Sequence, residues 1–553
     1  MRVVTRLAAA GMSVGLCFYG LSIPASAQAT APAGSALPSA TGTHQPKTPI
    51  AAAVRDTLPE TIDESLLNFY VSRNYDPVWL SPNGLTENAR LTLEAFADAN
   101  VHALNPQNYD PIGLSERART AKTAADWATL DIDLSIQFLR YATHLSSGRV
   151  QPNKINKALN LFPDRPVAAE LFSNAEAAID YSAFLTSLAP QTPNYRRLQL
   201  RLQDYRGKAA AGGFTLVPDG DVLKPGMSDP RLDILRQRLT EEDYLLAGGH
   251  TGDIYDGSLY DGSLVEAVET FQSYHGLETD GVIGPATLAA LNTPIRDKLI
   301  QMELNMERRR WMPDYFGDTY VFVNLADQNL KVVKGDQTWH TAPVVVGKPY
   351  HATPVFSNEM SYVEVNPYWN VPRSIATNEY LPSLQRNPSS LSGKGIRVFQ
   401  NGAEIAPAQV AWNSYSKSNF PFRLRQDPGN GNALGRIKFM FPNKFNIYIH
   451  DTPAKSLFNR AQRDFSHGCI RVSDPFALGD VLLASQGYDR AKLESLRDSG
   501  QRHVITLDQK IPVHLTYLTA WMNKDGSTHF REDIYGRDEV LQNALAKAMT
   551  ENY

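Results

Sequence analysis

Beyond residue 27 this chain has a single cysteine. Of the two among its 553 residues, Cys17 lies in an N-terminal stretch with the marks of a cleaved export signal, which leaves Cys469. A lone thiol closes no internal disulfide, so an exported chain of this kind has to be held by packed cores. The thiol itself is then a buried filler, an intermolecular link or a reactive group. Length and composition permit the packing: at ~150 residues per domain, 553 residues that are 42% apolar and 20% charged suit roughly three to four units. The formal net charge is -4 and no basic block stands out, which argues against nucleic acid or a polybasic membrane surface as partners.

The first residues set the compartment. Arg2 and Arg6 precede an apolar run from Leu7 to Leu21, and Ala25-Ser26-Ala27 is an A-x-A cleavage site before Gln28, so residues 1–27 are expected to be a signal peptide. The run is shorter than the ~20 residues a bilayer requires and is interrupted by Ser13, Gly15, Gly20 and Pro24. Cleavage, with no membrane span afterwards, is the expectation. Leu16 stands where lipoprotein signals have a small residue, which disfavours a lipid anchor at Cys17. Residues 28–55 are dominated by Ala, Pro, Thr, Ser and Gly and bury too little surface to offset ordering entropy, so a flexible linker is expected there.

From 56 to 215 the apolar spacing is helical, clearest at Leu130, Ile132, Leu134, Phe138, Leu139 and Ala142, and a helical scaffold is expected. His144 and Arg149 read as a helix end with a glycine stop, not as a site. Residues 216–294 form a second unit. Asp229-Pro230 opens a helix with Leu232, Leu235 and Leu239 on one stripe, Ser263 to His275 forms another, and a third follows the turn at Asp280-Gly281. Residues 295–319 hold a connecting helix in which Ile295, Leu299, Met302 and Met306 are spaced for packing.

At about residue 320 the pattern turns to β, giving a multidomain α+β chain. Segments 320–324 and 330–333 flank a hairpin turn, and 342–346 and 362–365 continue the strands. Residues 366–435 are rich in Asn, Pro, Ser and Gly, with aromatics at Tyr368, Trp369, Trp412, Tyr415 and Phe420. An irregular excursion of that length is expected to be a lid. The β domain is expected to span 320–510, with a C-terminal extension over 511–553.

Strand alternation around residue 448 puts Ile447 and Ile449 on the core face and Tyr448 and His450 on the other, toward a cleft. Fifteen residues separate His450 from Ser466, enough for a loop to return Ser466-His467-Gly468-Cys469-Ile470-Arg471 beside the strand. Asp474-Pro475 starts a helix, which places Cys469 in a short exposed segment before it. A thiol with an ordinary pKa of ~8.5 needs a base or a positive field to attack a carbonyl at neutral pH. His450 is the candidate base, Gly468 leaves room for substrate, and main-chain N–H groups at 467–469 suit an oxyanion. Asp451, or the main-chain carbonyl beside it, would orient the imidazole. The same residues also suit a structural thiol, or a zinc site built from His450, Asp451, His467 and Cys469, and spacing leaves the three open.

The arrangement of His450, fifteen intervening residues and Ser466 to Arg471 closely resembles the signature of the L,D-transpeptidase catalytic domain, and Gly347 with Ala352 to Phe356 resembles that family's early strands. Residues 267–277 and 280–288 resemble the three-helix peptidoglycan-binding module. With the scaffold before them, and Pro512 to Tyr517 and Asp533 to Gly536 after them, the whole order resembles the large Gram-negative, YcbB-like L,D-transpeptidases.

The resemblance implies a nucleophile at Cys469 and a base at His450. Tyr448, Ser466, His467, Gly468 and Arg471 would line the site, with no metal and no cofactor. It implies a periplasmic enzyme that attacks the L-centre of diaminopimelate in a tetrapeptide stem, releases D-alanine and passes the thioester to a second stem as a 3-3 cross-link. The insertion would cap the substrate, a carbapenem would acylate Cys469, and the partners would be stem peptides and other wall-synthesis proteins. Arg471 suits either a substrate carboxylate or a structural ion pair. A non-catalytic wall-binding protein with a vestigial cysteine, and a cysteine peptidase or amidase acting on wall peptides, are the alternatives.

Overall fold

The computed structural model describes residues 45–245 and 258–550. The signal peptide and residues 28–44 of the expected linker lie outside them. The linker does not reach residue 55, because a helix, Pro49–Thr57, already packs on the scaffold. Thr48 caps it by accepting the Ala51 amide (3.0 Å), Pro49 occupies a first-turn position where its missing N–H costs nothing, and Ala51 and Val54 are buried. Two small apolar residues one turn apart suffice to dock an alanine-rich helix.

The scaffold is built around the helix Ala124–Ser147, started by a Thr123/Asp126 capping box and stopped at Gly148 with φ +84°. Phe138, Tyr141 and Leu145 on this helix pack with Phe96, Phe172, Leu198 and Leu202 from its neighbours. The smaller helical unit closes Arg231–Glu241, Gly262–His275 and Pro285–Leu291 around Leu235, Leu264, Val268 and Phe271, with Ile283 in the core. Gln272 holds its turn by accepting from the amides of Asp280 (3.1 Å) and Gly281 (2.9 Å).

The connecting helix, Ile295–Arg310, is buried along most of its length. Met302 and Met306 enter the scaffold core, while Leu304 enters the β-domain core. Lys298, Glu307 and Arg308 to Arg310 are buried with it. Lys298 pairs with Glu242 of the small unit, which also holds Arg238 at 2.7 Å. Glu307 accepts from the Arg149 amide (2.5 Å) and pairs with Arg310 (2.9 Å). Arg308 pairs with Asp538 near the C-terminus. Gly148 makes the second of these contacts possible, since a Cβ there would lie 2.6 Å from a Glu307 carboxylate oxygen.

In the β domain nine strands hydrogen-bond in the order Asp464–Ser466, Gln337–Gly347, Ile470–Val472, Ile449–His450, Ile437–Met440, Phe356–Val365, His503–Thr516, Thr319–Asn324 and Asn329–Lys334. Asn329–Lys334 also pairs with Gln337–Gly347, so the ladder closes on itself. Strand His503–Thr516 runs through the expected boundary at 510. It pairs antiparallel with Phe356–Val365 and parallel with Thr319–Asn324, so the sheet core extends into the expected extension.

Residues 366–435 are not irregular. They carry a four-stranded sheet, in the order Trp369–Asn370, Arg423–Gln426, Ile396–Gln400 and Ala403–Ile405, over a core of its own. Trp412, Phe420 and Phe422 fill that core, so these aromatics stabilise the insertion and do not face a ligand.

Burial alone would raise the Glu307 carboxyl, but Arg149 and Arg310 hold it below its ordinary value. A folded pKa below the unfolded one gives stability that is present above the ordinary value of ~4.3 and is lost as pH falls through the folded value. Glu307→Ala leaves Arg149 and Arg310 uncompensated and is expected to cost about 3–5 kcal/mol in urea unfolding. An effect below about 1 kcal/mol would show that the pair does not hold the interface.

Candidate active site

Strand register assembles the site. Ile449–His450 lies parallel to Ile470–Val472, with His450 opposite Arg471. On its other side His450 is opposite Lys438, and Lys438 is opposite Glu364. Residues facing each other across strands share a face, so Glu364, Lys438, His450 and Arg471 form one row. Glu364 anchors the row, pairing with Lys438 (3.3 Å) and Arg502 (2.9 Å).

Cys469 immediately precedes Ile470–Val472 and is half-buried, not exposed. Its Sγ lies 3.7 Å from the Asn446 carbonyl. Burial pushes the thiol up to about 11, against the downward pull of the Tyr448 main chain and hydroxyl and of the Arg471 and Lys438 charges. Tyr448, just before the strand Ile449–His450, is therefore brought to the thiol.

His450 lies on the same sheet face but is 4% exposed, so it is not open to a cleft. Its Nδ1–H donates to the main-chain carbonyl of Asp451 (2.5 Å). A carbonyl only accepts, so the neutral ring is protonated at Nδ1 and carries its lone pair at Nε2. The Asp451 carboxylate turns away, accepting from the Arg436 amide (2.8 Å) and Lys455 (2.6 Å). Burial, then the Arg471 charge, drive His450 down to about 3, although the Asp451 and Leu434 carbonyls favour its protonated form. No hydrogen bond joins His450 to Cys469 among the described residues.

The cysteine turn is held from beneath. Ser466 Oγ donates to the Cys469 carbonyl (2.6 Å) and accepts from the Gly468 amide (3.0 Å). That amide is thus occupied, which removes it from the expected oxyanion donors. Gly468 adopts φ +116°, a conformation that favours glycine. Thr353 Oγ1 bridges the turn to the sheet, donating to the Gly468 carbonyl (2.8 Å) and accepting from the Gly347 amide (3.0 Å). A Cβ on Gly347 would collide with the His351 carbonyl and lie 3.1 Å from Gly468 Cα. Tyr535 donates to the Gly347 carbonyl (2.7 Å) and Arg537 to the Thr353 carbonyl (2.9 Å), so the C-terminal segment braces the turn.

Two further motif residues make contacts the motif does not foretell. His467 Nε2 meets Glu379 of the insertion at 2.6 Å. Arg471 forms no ion pair among the described residues, and its Nε is buried without a partner, so the structural ion pair is not made. The four donors of the zinc alternative point to different partners, and no group of three or more His, Cys, Asp or Glu converges among the described residues. Lys438, Glu364, Glu379, Thr353 and Arg537 carry no signal in the local motif.

Residues 318–484 match the model of the L,D-transpeptidase catalytic domain. The chain carries an L,D-transpeptidase catalytic domain. Residues 228–291 match the "Putative peptidoglycan binding domain" and residues 64–202 the scaffold domain. A Haemophilus influenzae protein named "Putative L,D-transpeptidase" is 32% identical over 242 residues, covering 44% of this chain and 48% of that protein. The chain thus spans about half the length of that curated relative. Solved L,D-transpeptidases from Xylanimonas cellulosilytica and Stackebrandtia nassauensis are 16% and 15% identical, covering 54% and 55% of this chain and 98% and 96% of their own, with TM-scores of 0.17 and 0.20. Within this L,D-transpeptidase domain lie Cys469, His450 and Glu379, whereas Tyr535 and Arg537 lie beyond the matched residues.

A thiol pushed up to about 11 is protonated at neutral pH, and its reactivity grows as pH approaches that value. Iodoacetamide alkylation of Cys469, followed by peptide mass, is expected to keep rising between pH 8 and about 10. A plateau reached by pH 7 would mean a preformed thiolate.

Proposed function

We propose that the chain is an exported, periplasmic L,D-transpeptidase of the large Gram-negative, YcbB-like type, which joins peptidoglycan stem peptides through a thioester on Cys469. The observation that carries the reading is a lone thiol set against Tyr448 and beside the unpaired Arg471 guanidinium, inside the matched L,D-transpeptidase domain. The peptidoglycan-binding match supports a wall polymer as the substrate.

Cys469 Sγ attacks the carbonyl carbon at the L-centre of diaminopimelate in a tetrapeptide donor, and its proton passes to His450 Nε2. Burial favours the neutral forms of both groups, so the proton moves with the attack and not before it. The two side chains are not hydrogen-bonded to each other, and contacts of this kind tighten in the substrate complex. In this scheme the Tyr448 hydroxyl, which lies beside the thiol, and the Cys469 amide serve as the oxyanion donors. Collapse breaks the C–N bond, the nitrogen takes the proton from His450, and D-alanine leaves. The side-chain amine of a second stem then attacks the thioester, gives a proton to His450 and expels the thiolate, which takes that proton back. The product is a 3-3 cross-link. Arg471 pairs with a substrate carboxylate, and no step requires a cofactor.

The insertion acts as the substrate cap in this scheme, tied to the cysteine turn through Glu379 and His467. A half-exposed pair of this kind is worth ~0–1 kcal/mol, enough to bias a cap without locking it.

Incubation with disaccharide-tetrapeptide, with products identified by mass spectrometry, is expected to give free D-alanine and a 3-3 linked dimer. Cys469→Ala should lose both by at least ~10⁴-fold while its melting stays unchanged. Persistent product would reject the nucleophile, collapse of the fold would favour a structural thiol, and D-alanine without dimer would reject cross-linking. Glu379→Ala should raise hydrogen exchange over residues 373–386 and lower cross-linking several-fold, with iodoacetamide still reaching Cys469. Unchanged exchange would reject the latch.

A further inference from the structure

The basic triplet that ends the connecting helix has one member left over. Arg308 pairs with Asp538, and Arg310 with Glu307 and the Tyr195 hydroxyl. Arg309 is just as buried, at 7% exposure, yet it forms no ion pair among the described residues, and its Nε has no partner. Arg197, on the scaffold helix Pro193–Ala210, lies close enough for its charge to act on Arg309. Burial and this like charge hold Arg309 down to about 10. Arg197 itself has a buried, unpartnered Nε and, among the described residues, bonds only Asn194. Two adjacent guanidinium groups without a counter-charge are costly to bury.

Both arginines line a cavity of about 690 Å³, a volume in the range of small-molecule sites, and none of its lining residues belongs to the cysteine site. Its walls come from the scaffold, the hairpin 319–334 and the C-terminal hairpin 520–530. Tyr315, 68% exposed, offers an aromatic face, whereas the Trp521 ring is already stacked on His529 at 5.0 Å and lines the cavity with its edge. Asp314, Asp318, Asp327, Asp336 and Asp525 also line the cavity, so it is not uniformly basic. That distribution disfavours a polyanion. It suits a ligand with a carboxylate at one end and hydroxyl or amine donors elsewhere.

We propose that this cavity is a second binding site, for a carboxylate-bearing sugar-peptide fragment of the wall polymer, with the carboxylate on Arg309 and Arg197 and the body of the fragment stacked on Tyr315. The polymer's identity rests on the function proposed above; the demand for an anion rests on the two arginines alone. Bound here, the polymer would be held by the scaffold face of the β domain while a stem enters the cysteine site.

The test uses full-length chain carrying Cys469→Ala, so that ligand is not turned over, and hydrogen exchange with disaccharide-tetrapeptide as the probe. Protection is expected in two places, over 446–471 and over 314–320 with 521–525. Adding Arg309→Met should weaken the second at least tenfold and leave the first unchanged, and without ligand it should not lower Tm, because it removes an unpaired buried charge. Arg309→Lys, which keeps the charge but loses the fork, should retain the fold and part of the binding. Protection over 446–471 alone would overturn the second site and spare the proposed function; protection at neither would overturn both. Equal protection by inorganic phosphate would overturn the polymer assignment. A lower Tm for Arg309→Met with unchanged protection would make Arg309 merely structural and overturn the site.

Discussion

The described domains meet on a helix most of whose charges are buried. Ile295–Arg310 meets a counter-charge from each of its neighbours: Glu242 from the small helical unit, Arg149 from the scaffold and Asp538 from the C-terminal segment. Buried pairs contribute little net stability compared with apolar replacements, but losing one partner is expensive. Their effect here is one of register. An apolar stripe made of Met302 and Met306 alone tolerates sliding, whereas Glu307 has to meet the Arg149 amide at a point where only Gly148 leaves room.

That register reaches the cysteine turn. Asp538, paired to Arg308, lies in the first turn of the last helix, Arg537–Thr550, next to Arg537. Arg537 reaches the Thr353 carbonyl, Tyr535 reaches the Gly347 carbonyl, and Thr353 Oγ1 takes the contact on to Gly468. The residue before Cys469 is therefore fixed by a segment almost seventy positions downstream, which is itself fixed by the connecting helix. A site whose supporting shell is this continuous keeps a reactive atom in place without depending on the loop's own stiffness.

Legibility in the sequence followed the range of the interactions. The turn Ser466 to Arg471, the strand position of His450, and the helices of the small unit are local patterns, and the structure contains them, although Tyr448 falls just before the strand Ile449–His450. The row Glu364, Lys438, His450 and Arg471 depends on the register of four strands spread over more than a hundred residues, and no local pattern encodes it. Glu379 meets His467 only once the insertion has folded, and Tyr535 meets Gly347 only through closure of the sheet. The helix Pro49–Thr57 was hidden by composition, because alanine and proline suit both linkers and helix starts. The aromatics of 366–435 belonged to an irregular stretch expected to be a lid, but a subdomain of that size needs a core and buries Trp412 and Phe420 there.

The electrostatics of the site explain why its motif residues are close and yet not paired as ions. Burial raises the Cys469 thiol and lowers the His450 imidazole, so a thiolate-imidazolium pair is disfavoured from both sides. Lys438 and Arg471 act in opposite senses on the two: their positive charge favours the thiolate and disfavours the imidazolium. In the proposed mechanism charge is thus better placed on sulfur and on the substrate's oxyanion than on the histidine. The cationic row stabilises the negative charge that develops as the bond forms, while His450 holds the proton only until the leaving nitrogen takes it. Glu364 keeps Lys438 from adding a full uncompensated charge, which leaves Arg471, with no ion-pair partner among the described residues, as the cation most able to respond to a substrate carboxylate.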